Sequence, residues 1–500
     1  MSEVPLHHFQ FNRAVFVRDA SPRLTAEAGA LLLRELDQKL DITRHLAGQL
    51  FDPRDPAKIR YEDTVLLRNR LYALALGHAR QDDADRLAHD PAFRVAVWDR
   101  PGDRPLDERL ASQPSTSRLL ARLADPAMPG NLQALRNALA FSLRAHQKAH
   151  ADARVRFGVV DTDGFPVETH GQQPGAAYHG YYKKTVYSPL VACFSARGDF
   201  NAPRLGDGFL HAILRKGNAA AATAAEGFLR AASAKARKLA VTVCHRLDAG
   251  FADARLFNLL DGLGDRFVCR LPHNAVLDRL AEPHLARPAH RPPKGGYFKA
   301  VELDGYHNPG WAKPFRVVLV VVDEPCADGR LDFGPRYFFL VTNLTPEQLD
   351  ATALLELYRQ RGTFEDRLGE WNGLRVNLSQ DSFRKNEATL LLSLLAFNLA
   401  EALRGETESA RDPRENPPAT TPYGGWDMER FRRVVLRAGA RVVKGGRRLW
   451  FDLAEGVAPL WRALLDRIGR LRPARKTRGP ARREYVPPPE HAFLSMTYRI

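Results

Sequence analysis

Three acidic residues far apart in the chain, Asp163, Asp248 and Glu365, occupy positions from which carboxylates can do chemistry. Asp161 and Asp163 close a segment that reads as a strand over 154–163, and side-chain alternation puts both on one face. Asp248 follows an apolar strand over 240–246, at the carboxyl edge where open α/β sheets hold their sites. On a later helix, Tyr358, Arg361 and Glu365 recur at i, i+3 and i+7, one helical face. Carboxylates converging in this way suit a pair of Mg²⁺ (or Mn²⁺) ions about 3.5–4 Å apart, which stabilise the attacking and leaving oxygens of a phosphoryl transfer. Such hard cations take oxygen ligands and keep several waters, so no histidine is required. Each acid also has an ordinary structural explanation. Asp163 can cap a turn with Gly164, Asp248 can cap the helix after Gly250, and Glu365 can pair with Arg361.

The elements that must position these residues divide into regions. The first 150 residues read as helices over 25–40, 61–79 and 131–150, a helical DNA-binding or dimerisation unit with no evident helix-turn-helix. From 154 the pattern is α/β: strands over 154–163, 178–187 and 189–194, an alanine-rich helix over 218–238, a strand over 240–246, a helix over 252–263 and a strand over 266–271. A proline-rich passage over 283–293 interrupts the alternation, and strands over 298–303, 315–323 and 336–343 read as a β-rich insertion at about 275–345. Thr345, Pro346 and Gln348 form a helix-start signal. A very apolar helix over 387–403 belongs in the core, 405–425 reads as a linker, and a basic region occupies 426–500.

Composition limits the partners. The formal charge is +16, and residues 431–500 hold 17 Lys plus Arg against 5 Asp plus Glu, with Trp450, Trp461 and Tyr485 interleaved. This concentration points to a nucleic acid, with Arg447, Arg448, Arg472, Arg475, Lys476 and Arg478 as phosphate contacts. The longest apolar run, 388–400, is broken by Thr389, Ser393 and Asn398, so no membrane partner is expected. Cys193, Cys244, Cys269 and Cys326 form no close pair, which points away from zinc or disulfides and toward a reducing cytoplasm, in association with the nucleoid.

These motifs together resemble the DDE-type insertion-sequence transposases with a ribonuclease H-like catalytic domain, specifically the subgroup called transposase DDE domain group one, which is related to piggyBac-like elements. Residues 161–175 resemble the first-aspartate motif and its His-Gly-x-Gln segment, 214–218 the Leu-Arg-x-Gly-Asn turn, and 246–251 the Arg-x-Asp-x-Gly-Phe motif. Tyr358, Arg361 and Glu365 reproduce the Tyr-x-x-Arg-x-x-x-Glu signature. The resemblance implies a catalytic domain over 151–404 and Asp163, Asp248 and Glu365 as metal ligands, with Tyr358 and Arg361 beside them. It further implies cut-and-paste movement, terminal inverted repeats and target DNA as partners, and a homodimer on paired ends. Phe165 replaces the usual threonine two places after the first aspartate, which keeps Asp161 in play as the first ligand. Asn372 replaces a common lysine, whose DNA contact would fall to Arg367 or Arg375.

Two other readings share these residues: a DNA-binding protein that has lost catalysis, and a metal-dependent nuclease without strand transfer. A carboxylate-pair glycosidase is disfavoured by the basic tail.

Overall fold

The computed structural model describes residues 7–9, 12–17, 23–150, 154–180, 182–200, 204–220, 222–286, 297–323, 335–410, 426–445, 448–454 and 456–474. In the first 150 residues, helices α1 (Ala30–Leu40), α2 (Asp63–Leu76) and α3 (Pro129–His150) form the frame, together with further helical segments that include Gln113–Ala124. Helix α2 is buried on every residue from Val65 to Leu76. It tolerates this because its polar side chains are satisfied: Asn69 donates to the Ala111 carbonyl at 3.0 Å and Arg68 pairs with Asp99 at 2.8 Å. Gly77, at φ 98°, terminates it in the left-handed conformation that glycine adopts without strain.

The α/β part is built on one eight-stranded sheet. Its strands are β1 (Val155–Gly164), β2 (Leu190–Arg197), β3 (Arg204–Ile213), β4 (Ala240–Leu247), β5 (Arg266–Leu271), β6 (Tyr297–Glu302), β7 (Arg316–Asp323) and β8 (Arg336–Thr342), in the spatial order β6-β7-β8-β5-β4-β1-β2-β3. Strands β1, β4 and β5 run parallel to one another, and the other pairings are antiparallel. Helix α4 (Ala225–Ala236) joins β3 to β4, and α5 (Ala254–Gly262) joins β4 to β5. Both pack their apolar faces into the cluster that includes Val160, Leu247 and Phe267.

Three features differ from the sequence reading. The expected strand over 178–187 lies outside this sheet, in a small one formed by Val167–Glu168, Ala177–His179 and Lys184–Tyr187. The third sheet strand is instead β3, in a stretch to which the sequence reading assigns no element. Gly208 is required there, since a Cβ would collide with Leu143 and with the Asn398 side chain. The strands expected as an insertion do form, but they continue the main sheet: β8 pairs with β5 from Val268–Thr342 to Leu271–Phe339, so the edge of β5 is covered by a meander. The alanine-rich helix begins only at Ala225.

Beyond the sheet come α6 (Ala351–Arg359), α7 (Gly362–Asn372), α8 (Phe383–Ala410) and, near the end of the described chain, α9 (Ala458–Arg470). Helix α6 starts six residues after Thr345, with Asp350 accepting from the Ala353 N–H at 2.8 Å; Thr345 and Gln348 form the preceding turn. Helix α8 is long and apolar enough to cross a membrane by length and composition, but 89% of the relevant window is buried. Its polar residues are bonded inside the protein. Asn398 bridges the backbone of Phe209 in both directions at 2.8 Å, and Ser393 accepts from the Trp371 indole at 3.0 Å. The expected linker is helical as far as Ala410, because buried Glu406 and Thr407 anchor its first residues; residues 411–425 lie outside the described residues.

The division expected at residues 150 and 404 does not separate the cores. One hydrophobic cluster holds Leu33 of α1, Leu74 of α2, Leu139 of α3, Leu394 of α8, Phe431 and Leu464 of α9. In the basic region, Arg432 is buried and donates to the Ala75 carbonyl at 3.0 Å, and Arg467 pairs with Glu406 at 2.7 Å. A hairpin of Ala440–Gly445 and Arg448–Leu453 adds to the strand Leu24–Thr25.

Candidate functional site

The carboxyl ends of β1 and β4 stand side by side because the two strands are parallel, with Arg246 in register with Asp161. Asp161 and Arg246 are both buried and form a two-point ion pair, Nε to Oδ1 at 2.7 Å and Nη2 to Oδ2 at 2.6 Å. The third arm of the guanidinium donates to the Leu357 carbonyl on α6 at 2.7 Å. Asp161 thus ties β1, β4 and α6 together below the site, and its carboxylate is fully engaged.

Two residues further along β1, on the same face, Asp163 reaches the sheet edge at 21% side-chain exposure. Its Oδ1 accepts from the Gly164 N–H at 2.7 Å, and its Oδ2 pairs with Arg361. Asp248 follows β4 in extended backbone and accepts from the Gly250 N–H at 3.0 Å, the cap of the short turn Ala249–Phe251. Glu365 sits in the first turn of α7 and is 63% exposed. One guanidinium touches all three acids: besides Asp163, Arg361 lies 3.8 Å from Asp248 Oδ2 and 2.8 Å from Glu365 Oε1. The three carboxylates therefore come together around a single positive group.

The helix carrying the signature is broken. Helix α6 ends at Arg359 and α7 begins at Gly362, with the Arg361 N–H turned back to the Tyr358 carbonyl at 2.9 Å. The one-face spacing presumes an uninterrupted helix. In the fold, Arg361 stands among the acids, drawn in by their charge, and Tyr358 lies against Phe338 with ring centroids 6.4 Å apart. Burial pushes the Tyr358 phenol up to about 12, with Arg361 opposing and Cys269 adding to the shift.

Burial also pushes Asp163 up to about 6; Arg361 opposes this and the neighbouring Asp248 charge adds to it. The unfolded carboxyl has its ordinary value of 3.8. Between those values the folded chain binds more protons than the unfolded one, so this group's contribution to stability falls as pH rises through that window. Asp163→Asn is expected to melt at a higher temperature than the parent at pH 7, with the advantage vanishing below about pH 4. Melting curves of the two proteins across that range test this, and equal melting temperatures at pH 7 would refute the burial cost.

Residues that the sequence reading did not single out complete the surroundings. Arg246, within a recognised motif, is the lock on Asp161. Arg215 donates to the carbonyls of Ser188, Ala220 and Thr223 at 2.8, 3.0 and 3.0 Å and lies against Gly164, where a Cβ would collide with its Nη2. Gly217 closes against the small sheet, where a Cβ would overlap the Val186 carbonyl oxygen. The Leu-Arg-x-Gly-Asn turn is therefore a brace for the edge that carries Asp163. The clue is the pairing of arginine and glycine within a turn, which periodicity does not register.

The basic candidates fare differently. Arg367 is buried and pairs with Asp207 at 2.5 Å and with Glu401 at 2.6 Å, so it does not face a ligand; core acids hold it. Arg375 is exposed, at φ 50°. Arg448 and Arg472 are exposed, and the Arg448 guanidinium lies 6.0 Å from the ring centroid of the half-exposed Trp450. Arg447, Arg475, Lys476 and Arg478 lie outside the described residues. The three described cysteines are buried and form no disulfide among the described residues.

A family model described as transposase DDE domain group 1 matches residues 7–475. No curated protein matches the chain. Among solved structures, a piggyBac transposase synaptic complex with hairpin DNA, determined by cryo-electron microscopy, is similar at 12% identity, covering 81% of this chain and 80% of that one with a TM-score of 0.39.

Proposed function

The chain belongs to the transposase DDE domain group 1 family, and from that premise we propose that it cleaves DNA at the inverted-repeat ends of a mobile element and joins those ends to target DNA. The observation that carries this reading is the meeting of Asp163, Asp248 and Glu365 at one sheet edge around Arg361. The order of β3, β2, β1, β4 and β5, with β1, β4 and β5 parallel, supports a ribonuclease H-like catalytic sheet extended by the β6–β8 meander.

The donor set fits Mg²⁺ or Mn²⁺: three carboxylates, all oxygen, that gather round the Arg361 guanidinium and include an acid raised by burial, with its neighbour's charge adding to the shift. Asp163, Asp248 and Glu365 would hold the metal, which when bound supplies charge stabilisation at the attacking and leaving oxygens of the phosphodiester. The protein's own groups do the rest. Asp161 and Arg246 hold the two strand ends at fixed separation, and Gly250 orients Asp248 through its N–H. Arg361, which stands beside all three acids, would offer a planar fork to a phosphate oxygen. Exposed Arg448, Arg472 and Arg375 would contact the DNA backbone, and a homodimer would bring two ends together.

The test uses the purified full chain with DNA from the borders of its gene and Mg²⁺ or Mn²⁺. Cleaved ends that become joined to target DNA support the proposal. Cleavage without joining would mark a nuclease, and binding without cleavage a silent regulator. Arg361→Lys is expected to slow cleavage on pre-formed complexes about 10²-fold, since lysine cannot reproduce the fork. Cleavage by this variant at the parental rate under saturating DNA and metal would leave Arg361 as a helix tether only.

A further inference from the structure

We propose that His146, His150 and Glu406 form a second metal site, of a different class from the acidic trio, that takes a zinc-type divalent transition ion. The two histidines lie one turn apart at the end of α3, and Glu406 lies near the end of α8. Both imidazoles aim Nε2 at the same carboxylate oxygen, Glu406 Oε1, at 2.9 Å from His146 and 2.6 Å from His150. The three ligand atoms lie within 4.8 Å of one another. Bonds of about 2.0–2.2 Å from each atom to a common centre fit that triangle with small rotamer adjustments.

The donor chemistry selects the ion. Two imidazole nitrogens and one carboxylate suit Zn²⁺ and its neighbours, whereas Mg²⁺ and Ca²⁺ prefer oxygen alone. The remaining carboxylate oxygen, Oε2, accepts from Arg467 of α9 at 2.7 Å, which orients the acid from behind. Glu406 itself is buried, at 2% side-chain exposure, while His150 is 40% exposed, so the acid is fixed and the histidines face an entry path. All four residues line a cavity of about 390 Å³, which leaves a fourth coordination position for water or a small ligand. Each imidazole binding through Nε2 keeps one proton on Nδ1, and any second ring proton leaves to solvent. The ion would clip α3 to α8 and, through Arg467, to α9.

The experiment uses untagged, metal-stripped full-length protein with excess Mg²⁺ present to fill oxygen-only sites, titrated with Co²⁺ as a spectroscopic probe. One Co²⁺ per chain, with visible bands of a nitrogen-containing site and displaced by Zn²⁺, is expected. His150→Gln keeps a donor for Glu406 and should preserve the fold, yet weaken Co²⁺ binding by well over the about 10–100-fold that outer-sphere changes cost. Asp248→Asn should leave it unchanged. Zn²⁺ should raise the melting temperature of the parent and not that of His150→Gln. Folded parent protein that binds no stoichiometric Co²⁺, Co²⁺ binding equal in His150→Gln and parent, or Co²⁺ binding lost in Asp248→Asn would each overturn the site.

Discussion

Asp248→Asn is expected to reduce DNA strand cleavage by about 10³-fold or more, the scale of loss when a central catalytic group is removed. The substitution changes charge and little else. The amide oxygen still accepts from the Gly250 N–H, so the cap on the Ala249–Phe251 turn survives. The side chain is 37% exposed, so the folded state loses no core packing. Affinity for DNA should also survive, because it comes chiefly from phosphate contacts with basic residues elsewhere. Cleavage, DNA binding and melting temperature measured together decide the matter. A loss of binding equal to the loss of cleavage, or cleavage within tenfold of the parent, would remove Asp248 from the proposed catalytic trio.

The second large effect concerns stability. Arg246→Met leaves the Asp161 carboxylate buried beside β4 without its partner, and removing one member of a buried pair costs about 3–5 kcal/mol. The double variant Asp161→Leu/Arg246→Met removes both charges and should recover most of that loss, since apolar replacement of a whole buried pair is often neutral. Denaturant midpoints of the parent, single and double variants give the answer. A single variant that loses less than about 1 kcal/mol would show that the pair does not lock the strands. The double variant also separates the two aspartates: retained cleavage assigns Asp161 to positioning, and abolished cleavage in a stable protein returns it to the ligand set.

Much of this site is legible in the amino-acid sequence. Strand alternation puts Asp161 and Asp163 on one face, and strand ends put Asp163 and Asp248 at one edge, because both rules depend only on backbone geometry. What separates the two aspartates, the Arg246 side chain, lies 85 positions from Asp161 in the chain, and no local pattern reports such a pairing. The central place of Arg361 is hidden for a related reason: helical spacing presumes continuity, and the helix breaks at Gln360 and Arg361, where Gln360 accepts from Arg197 and Arg361 pairs with Asp163, both distant in the chain. Strand β3 escapes a reading by composition because two glycines interrupt it, and Gly208 is there for close packing against Asn398, a contact that composition does not report. The meander β6–β8 is legible as strands, yet its attachment to β5 depends on pairing that composition does not encode.

The core shared by α1, α2, α3, α8 and α9 has a consequence for how the protein is made. Helix α3 ends at His150 and its partner α8 begins at Phe383, so on a ribosome adding about 5–20 residues per second the early helices wait roughly 10–50 s for the segment that covers them. During that interval Leu74, Leu139 and their neighbours are apolar surface without a partner, the natural substrate of a chaperone. A frameshift or stop before codon 383 would therefore yield a polypeptide whose early helices keep that apolar surface uncovered.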